Sequence, residues 1–461
     1  MSIRAGRPSW ARLLLAAPLL AACHTGTLAP AAIAPDSAAI RADIAYLASD
    51  ALEGRGTGTA GNDSAAAYIA RRYQRLGLTP VVPAPPAARC PSPVLVLRAP
   101  AADGSAAPVS GSRCHCFLQP FSATSVAAAH AGLPGALPTQ NVLALLRGTD
   151  PKLRDQYVVI GAHFDHLGRN AFGALDPEAK DAIRNGADDN ASGTAAVLEL
   201  ARIFAKHPAK RSIIFANFSG EELGLLGSGY MVEHFPVPLG QVAAMLNFDM
   251  VGRLRDDKLI VYGTGSATEM PAILDSANVA PRLDVRGVGD GYGPSDQSSF
   301  YAKGVPVLHF FTDLHEDYHR ATDDVEKINA GGEARVVAFA ARVAREIADR
   351  PARLTYVQSA PPPMTASSRE STNVYLGTIP DMGAADVTGV RLTGVRAGTP
   401  ADKAGLKAGD VIVEFGGDPV KDLYEYTAAL NKHKPGDSVT IVVERAGQRV
   451  TLTATLGARG G

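Results

Sequence analysis

From Asn141 onward the chain alternates between short apolar runs and longer amphipathic stretches. The runs at 141–146, 157–162, 212–218, 243–248, 258–262 and 305–311 have strand length and few polar positions, as expected of strands buried on both faces. The stretches 192–206, 268–277 and 333–348 place apolar side chains at helical spacing. Such alternation predicts an α/β fold, a three-layer sandwich with a mostly parallel or mixed central sheet. Functional groups in that architecture gather where strands end in the carboxyl direction.

Upstream, Asp36 suits the N-cap of a helix running to about Ser49, with Ile40, Ile44 and Leu47 on one face. A second amphipathic helix is expected at 62–76, closed by Gly77 as a left-handed cap. Between them lies the glycine-rich stretch Glu53–Gly61, which lacks the Gly-Lys-Ser/Thr ending of a phosphate cradle and reads as a packing or substrate-side loop. Residues 80–138, rich in Pro, Ala and Ser, read as an irregular insertion in a domain spanning 36–349. A Pro-rich linker at 350–369 then leads to residues 370–458, whose short strands, turn glycines and one helix near 422–432 predict a separate small β-rich domain.

With 461 residues, 46% of them hydrophobic, the chain is globular and long enough for two or three domains. The net charge is −1 and the basic residues are scattered, so nothing resembles the clustered basic face of a nucleic-acid binder, and that partner class is excluded. Arg4, Arg7 and Arg12 precede the apolar segment Leu13–Ala22, which reads as a signal peptide over residues 1–22, too short to span a bilayer. Leu20-Ala21-Ala22-Cys23 resembles a bacterial lipobox, implying a lipid on Cys23, a tether at 23–35 and a place on the cell envelope, outer membrane or periplasm; plain cleavage near the alanines would give a secreted protein instead. An oxidising compartment allows one disulfide, from Cys90 to Cys114 or Cys116; a Cys-His-Cys metal clip at 114–116 is the alternative.

The chemistry sits behind the strands. Glu221 and Glu222 follow the run 212–218, and consecutive side chains there diverge, so one carboxylate can hold a metal while its neighbour moves protons. His163 ends the run 157–162, and Asp165, two residues on, is spaced to orient its imidazole. Asp188-Asp189 opens the helix at 192, Asp249 follows 243–248, and Tyr318-His319 follows 305–311. Nitrogen and oxygen ligands without cysteine suit zinc, cobalt or manganese.

His163-Phe164-Asp165-His166, Gly186–Gly193, Ser219–Gly224, Asn247–Gly252 and Tyr318–Asp323 resemble the successive motifs of the secreted di-zinc aminopeptidases, the family that also holds glutamate carboxypeptidase and glutaminyl cyclase. The resemblance, covering about residues 36–349, implies that Asp189 bridges two zinc ions, with His163 and Asp249 completing one site and Glu222 and His319 the other. It further implies Glu221 as general base and then acid, Asp165 behind His163, Tyr318 as a donor to the oxyanion, and a cis peptide at Asp189-Asn190. One departure is Ser295-Asp296-Gln297, where many relatives carry Ser-Asp-His; it bears on substrate preference more than on metal binding.

In the tail, Ala397–Ala401, Ala404–Leu406, Gly409–Ile412 and Phe415–Gly417 resemble the bacterial PDZ signature, and Val374–Gly377 resembles its carboxylate-binding loop. That resemblance implies a peptide C-terminus held at Tyr375, Leu376 and Gly377, against the alternative of a stabilising domain without a ligand. The expectation for the whole is an exported, zinc-dependent aminopeptidase acting on peptides. Carboxypeptidase action, glutaminyl cyclisation and a catalytically silent PDZ scaffold are its rivals.

Overall fold

In the computed structural model the described residues are Met1, 34–82, 117–124, 134–358 apart from 170–172, 177–178 and 294, then 374–380, 388–395 and 398–458 apart from 422 and 431. The signal peptide with Cys23, the three remaining cysteines and the prolines at 361–363 lie outside them.

Nine strands form the main sheet among the described residues: β1 (Thr79–Pro80), β2 (Leu118–Ala123), β3 (Leu137–Leu146), β4 (Tyr157–His163), β5 (Ser212–Phe218), β6 (Val242–Phe248), β7 (Lys258–Tyr262), β8 (Asp284–Val288) and β9 (Val307–Phe311). Their order is β1-β3-β5-β4-β6-β9-β7-β8, with β2 pairing on β3. The central strands β5, β4, β6 and β9 run parallel, and antiparallel pairing begins at β3 and β7. The sheet is therefore mixed.

Side-chain alternation along these strands feeds two cores. Val158, Ile160 and Ala162 of β4, with Ile213 and Phe215 of β5, face helices Ser37–Leu47, Ala60–Arg75, Gly193–Lys206, Met270–Ala277 and Ala330–Asp349. Tyr157 and Val159, with Ile214, Ala216 and Phe218, face the shorter helices Leu226–Glu233 and Gln297–Tyr301. Each fully buried large apolar side chain stabilises by roughly 1.5–3 kcal/mol, so the central strands, buried along their whole length, hold the site's platform rigid.

The helix ends follow their caps. The Asp36 carboxylate accepts from the backbone N–H groups of Ala38 and Ala39, Thr59 caps the second helix through Asn62, and Gly77 turns out of it at φ +75°. Two stretches differ from expectation. Residues 118–123, within the expected irregular insertion, form strand β2 and lengthen the sheet beside β3. The expected linker begins with a bound segment: Tyr356 donates from its hydroxyl to the Tyr301 carbonyl at 3.0 Å, and Val357 N–H donates to Ser266.

The tail has its own core, built on Leu376, Leu392, Ile412, Phe415, Ile441 and Val443. Its strands β10 (Val374–Tyr375), β11 (Thr378–Pro380), β12 (Val390–Val395), β13 (Val411–Phe415), β14 (Asp418–Pro419), β15 (Ser438–Arg445), β16 (Gln448–Thr455) and β17 (Gly457–Ala458) pair antiparallel in the order β11-β12-β13-β15-β16, with β14 on β13 and β10 on β17. Among the described residues no helix is long and apolar enough to cross a membrane. A fragment of residues 370–458 is expected to unfold in one cooperative transition when produced alone. A broad, non-cooperative melt by circular dichroism would count against an independent core.

Candidate active site

Because β5, β4, β6 and β9 are parallel neighbours, their carboxyl ends lie side by side. That brings His163 at the end of β4 next to Glu221 and Glu222 after β5, Asp249 after β6 and the loop after β9 that carries Tyr318 and His319. Asp189 arrives from the turn leading into helix Gly193–Lys206 and sits between the two imidazoles. Its Oδ1 is 3.5 Å from His163 Nε2 and its Oδ2 is 3.2 Å from His319 Nε2. On the first side Asp249 Oδ1 lies 3.4 Å from His163 Nε2; on the second, Glu222 Oε2 lies 3.2 Å from His319 Nε2. The five residues form two adjacent donor sets that share one carboxylate.

Both histidines and the turn that carries Asp189 are fixed by partners behind them. His319 Nδ1 donates to the Gly173 carbonyl at 2.9 Å, which leaves Nε2 facing the carboxylates. Its backbone sits at φ +54°, a conformation costly for a residue with a Cβ, and the Leu175 N–H bonded to its carbonyl helps hold it there. Tyr318 stacks on the same ring at 3.9 Å between centroids. His163 Nδ1 reaches the Asp165 main-chain oxygen at 3.2 Å, with the Asp165 carboxylate farther off at 3.7 Å. That carboxylate instead accepts from the Thr57 hydroxyl at 2.7 Å and from the Glu221 N–H at 3.2 Å, tying the glutamate turn to the histidine loop. The N–H groups of Asp188 and Asp189 both donate to Asp323 Oδ2, and the Asp189-Asn190 peptide is cis. At Gly186, φ +56°, any Cβ would lie 2.0 Å from the Asp189 carbonyl, so this turn into the bridging residue admits only glycine.

The field of the cluster is strongly negative. Burial, then Glu222, Asp296 and Asp249, push the Glu221 carboxyl well above the usual range, His163 opposing. Burial draws the His163 imidazole down, yet Asp249, Glu221 and Asp165 lift it well above the histidine range; Glu222 and Asp189 lift His319 against burial in the same way. Burial and the same carboxylates hold the Tyr318 phenol well above its normal value, so its hydroxyl keeps its proton and remains a donor. A pocket that draws protons onto its own bases is one in which convergent carboxylates lack sufficient positive charge. Asp249 Oδ1 is also buried without a hydrogen-bond partner. The two donor sets therefore fit divalent cations.

Residues 141–344 match the model of Peptidase family M28, and residues 365–456 match a PDZ domain. The chain thus joins an M28 peptidase domain to a PDZ domain. The peptidase domain is similar to a probable zinc metalloprotease of Pyrenophora teres f. teres, 34% identical over 32% of this chain and 31% of that one. It is also similar to leucine aminopeptidase 2 of Trichophyton rubrum, 28% identical over 47% of each. The chain spans about a third of the length of the zinc metalloprotease relatives it matches. Among solved structures, the aminopeptidase from Aneurinibacillus sp. strain AM-1 is 18% identical over 72% of this chain and 99% of that one, with a TM-score of 0.49.

Several supports of the M28 site were not among the candidate site residues, although Ser295-Asp296-Gln297 was noted as a departure from the family motif. Ser295 and Gln297 lie beneath β6, where Asn247 Nδ2 donates to Ser295 Oγ at 2.8 Å and to Gln297 Oε1 at 3.2 Å. His309, pushed down to about 4 by burial, donates from Nδ1 to the same Gln297 oxygen, while Asp296, pushed up to about 7 by burial, is near enough to feel the charges of His163 and Asp249. Arg253 donates to Asp323 at 2.9 Å and to Asp317, so the carboxylate under Asp189 is itself anchored.

Arg55, from the glycine-rich stretch, is fully buried and spends its guanidinium on main-chain oxygens of Leu47, Phe164, Asn185 and Gly186. It stitches the histidine loop to the turn that delivers Asp189. Burial lowers it only to about 10, so it remains charged at neutral pH. Each buried acceptor left without a donor costs about 1–3 kcal/mol, so Arg55→Met is expected to destabilise the M28 domain by about 3 kcal/mol or more, read as a lower urea midpoint at unchanged slope. An unchanged midpoint would show that the guanidinium is dispensable.

Proposed function

We propose that the M28 domain is a zinc-dependent aminopeptidase that works with two metal ions. The observation that carries this reading is the Asp189 carboxylate, which turns one oxygen to each of two histidines. His163, Asp249 and Asp189 would hold one ion, and His319, Glu222 and Asp189 the other, with cobalt or manganese compatible with the same nitrogen and oxygen donors. Bound there, the ions supply Lewis-acid polarisation of a scissile carbonyl and acidify water at neutral pH.

The remaining work falls to side chains of this chain. Glu221 takes the proton of the attacking water and returns it to the leaving amine; the bond from its N–H to Asp165 holds it in the turn beside Glu222. Tyr318 donates its phenolic hydrogen toward the charge that develops on the carbonyl oxygen. A free α-amine would find its partners among the carboxylates around the ions. A terminal carboxylate would instead require a cation, and the nearby Arg55 and Arg253 are committed to main-chain oxygens and to Asp317 and Asp323. That favours aminopeptidase over carboxypeptidase action. Presence of both His163 and Glu222 opposite Asp189 favours it over glutaminyl cyclisation, and an intact donor set with its base favours it over a silent scaffold.

The sequence of residues 1–23 supports export and a lipid on Cys23. In the PDZ domain, the turn at Tyr375, Leu376 and Gly377, with Gly377 at φ +92°, supports capture of a peptide C-terminus.

Metal analysis should find two zinc ions per chain, and chelation should abolish hydrolysis of aminoacyl substrates until zinc is restored. Carboxyl-blocked dipeptides should be cleaved and amino-blocked ones resist; equal cleavage of both would remove the aminopeptidase reading. Glu221→Gln is expected to keep both metals and lose about 10²–10⁴-fold in turnover, the usual range for a general base. Glu222→Gln should bind one metal more weakly. If Glu221→Gln loses metal while Glu222→Gln retains it, the roles of the two glutamates are reversed.

A further inference from the structure

We propose that His166 is a positioning residue that commits Glu222 to a single oxygen and thereby sets the affinity of the ion position at His319. This rests on the reading of Glu222 as a metal ligand. Glu222 Oε1 lies 2.7 Å from His166 Nδ1, while Oε2 faces His319 Nε2 at 3.2 Å. An ionised carboxylate only accepts, so the hydrogen of this contact is on His166 Nδ1 and the tautomer is fixed by its partner. One oxygen of Glu222 is thereby occupied and the other is presented.

The ring has little freedom to do otherwise. The His166 side chain is fully buried, its backbone N–H is bonded to the Arg55 carbonyl, and its edge meets the His319 ring at 5.7 Å between centroids. A Cβ at Gly186 would lie 2.5 Å from the imidazole, so the glycine that turns the chain toward Asp189 also makes room for His166. Asp249, the corresponding carboxylate of the other donor set, turns Oδ1 to His163 Nε2 at 3.4 Å and is supported by Ser295 rather than by a histidine. The next carboxylate oxygen near His166, Asp189 Oδ2 at 3.8 Å, is also the one turned to His319, so loss of His166 acts first on that ion position.

The test compares His166→Asn, His166→Gln and His166→Leu in the full chain by zinc titration of the metal-free protein against a competing chelator, with the thermal melt of the metal-free form as a check on folding. The Asn amide nitrogen takes roughly the place of Nδ1, whereas the Gln amide reaches past it. Removing the partner of a metal ligand lowers affinity by about 10–100-fold, so Gln and Leu should weaken one of two zinc equivalents by that factor and leave the other unchanged. Asn should restore the parental titration. Unchanged affinities in Gln and Leu would overturn the proposal, as would an Asn variant no better than Gln, or equal weakening of both equivalents with a lowered melt. If Leu fails to fold, the contrast between Asn and Gln decides. Glu222→Gln, titrated alongside, separates the two readings: if it binds both ions normally, Glu222 is not a ligand; if it weakens one and the His166 variants weaken none, only the positioning role falls.

Discussion

The structure turns on an electrostatic liability, the convergence of the Asp189, Glu221, Glu222 and Asp249 carboxylates around two imidazoles at one end of the sheet. Brought together without compensating charge, such groups repel one another and hold protons they would otherwise release. The surrounding fold keeps them from drifting apart. Rigid parallel strands fix three of the positions, buried main-chain donors fix the turn at Asp188 and Asp189, and Arg55 closes the back of the loops. A preorganised cluster of this kind gives cations their ligands at little cost in rearrangement.

The central sheet and the candidate ligands at its edge were readable from the sequence because both are local patterns. Apolar runs bounded by polar residues are strands buried on two faces, and the polar residue ending each run stands at the sheet's carboxyl edge. His163, Glu221, Glu222 and Asp249 follow directly from that rule. Asp189 and His319 were marked by their places before a helix and after the last strand, but which residues share an ion came from the family resemblance, since each sits in a loop whose path no periodicity reveals. Strand β8 was not readable: Asp284–Val288 is largely solvated and lacks the continuous apolar signature. Strand β2 was hidden within a proline-rich stretch.

The supporting residues were the least legible, for a related reason. Arg55 bonds to carbonyls up to 131 positions away, and His166 meets Glu222 across 56. Nothing in the neighbouring sequence distinguishes a buried arginine that binds carbonyls from a solvated one, or a histidine that aims a ligand from one that is a ligand. The glycines carried a faint signal. Gly54 and Gly186 admit close backbone contact with the histidine loop and the Asp189 turn, which is why a glycine-rich stretch with no phosphate signature sits so near the candidate metal ligands.

The spread of these contacts along the chain also decides when the molecule becomes competent. Arg55 belongs to the first elements and His319 to a loop after the last strand of the sheet, so the donor sets close only when both ends of the domain have met. An unfinished chain that has formed β4, β5 and β6 has His163, Glu221, Glu222 and Asp249 but lacks His319 and the Asp323 carboxylate that seats Asp189. Assembly of the two donor sets is thus tied to topology, and they are complete only when the whole domain is.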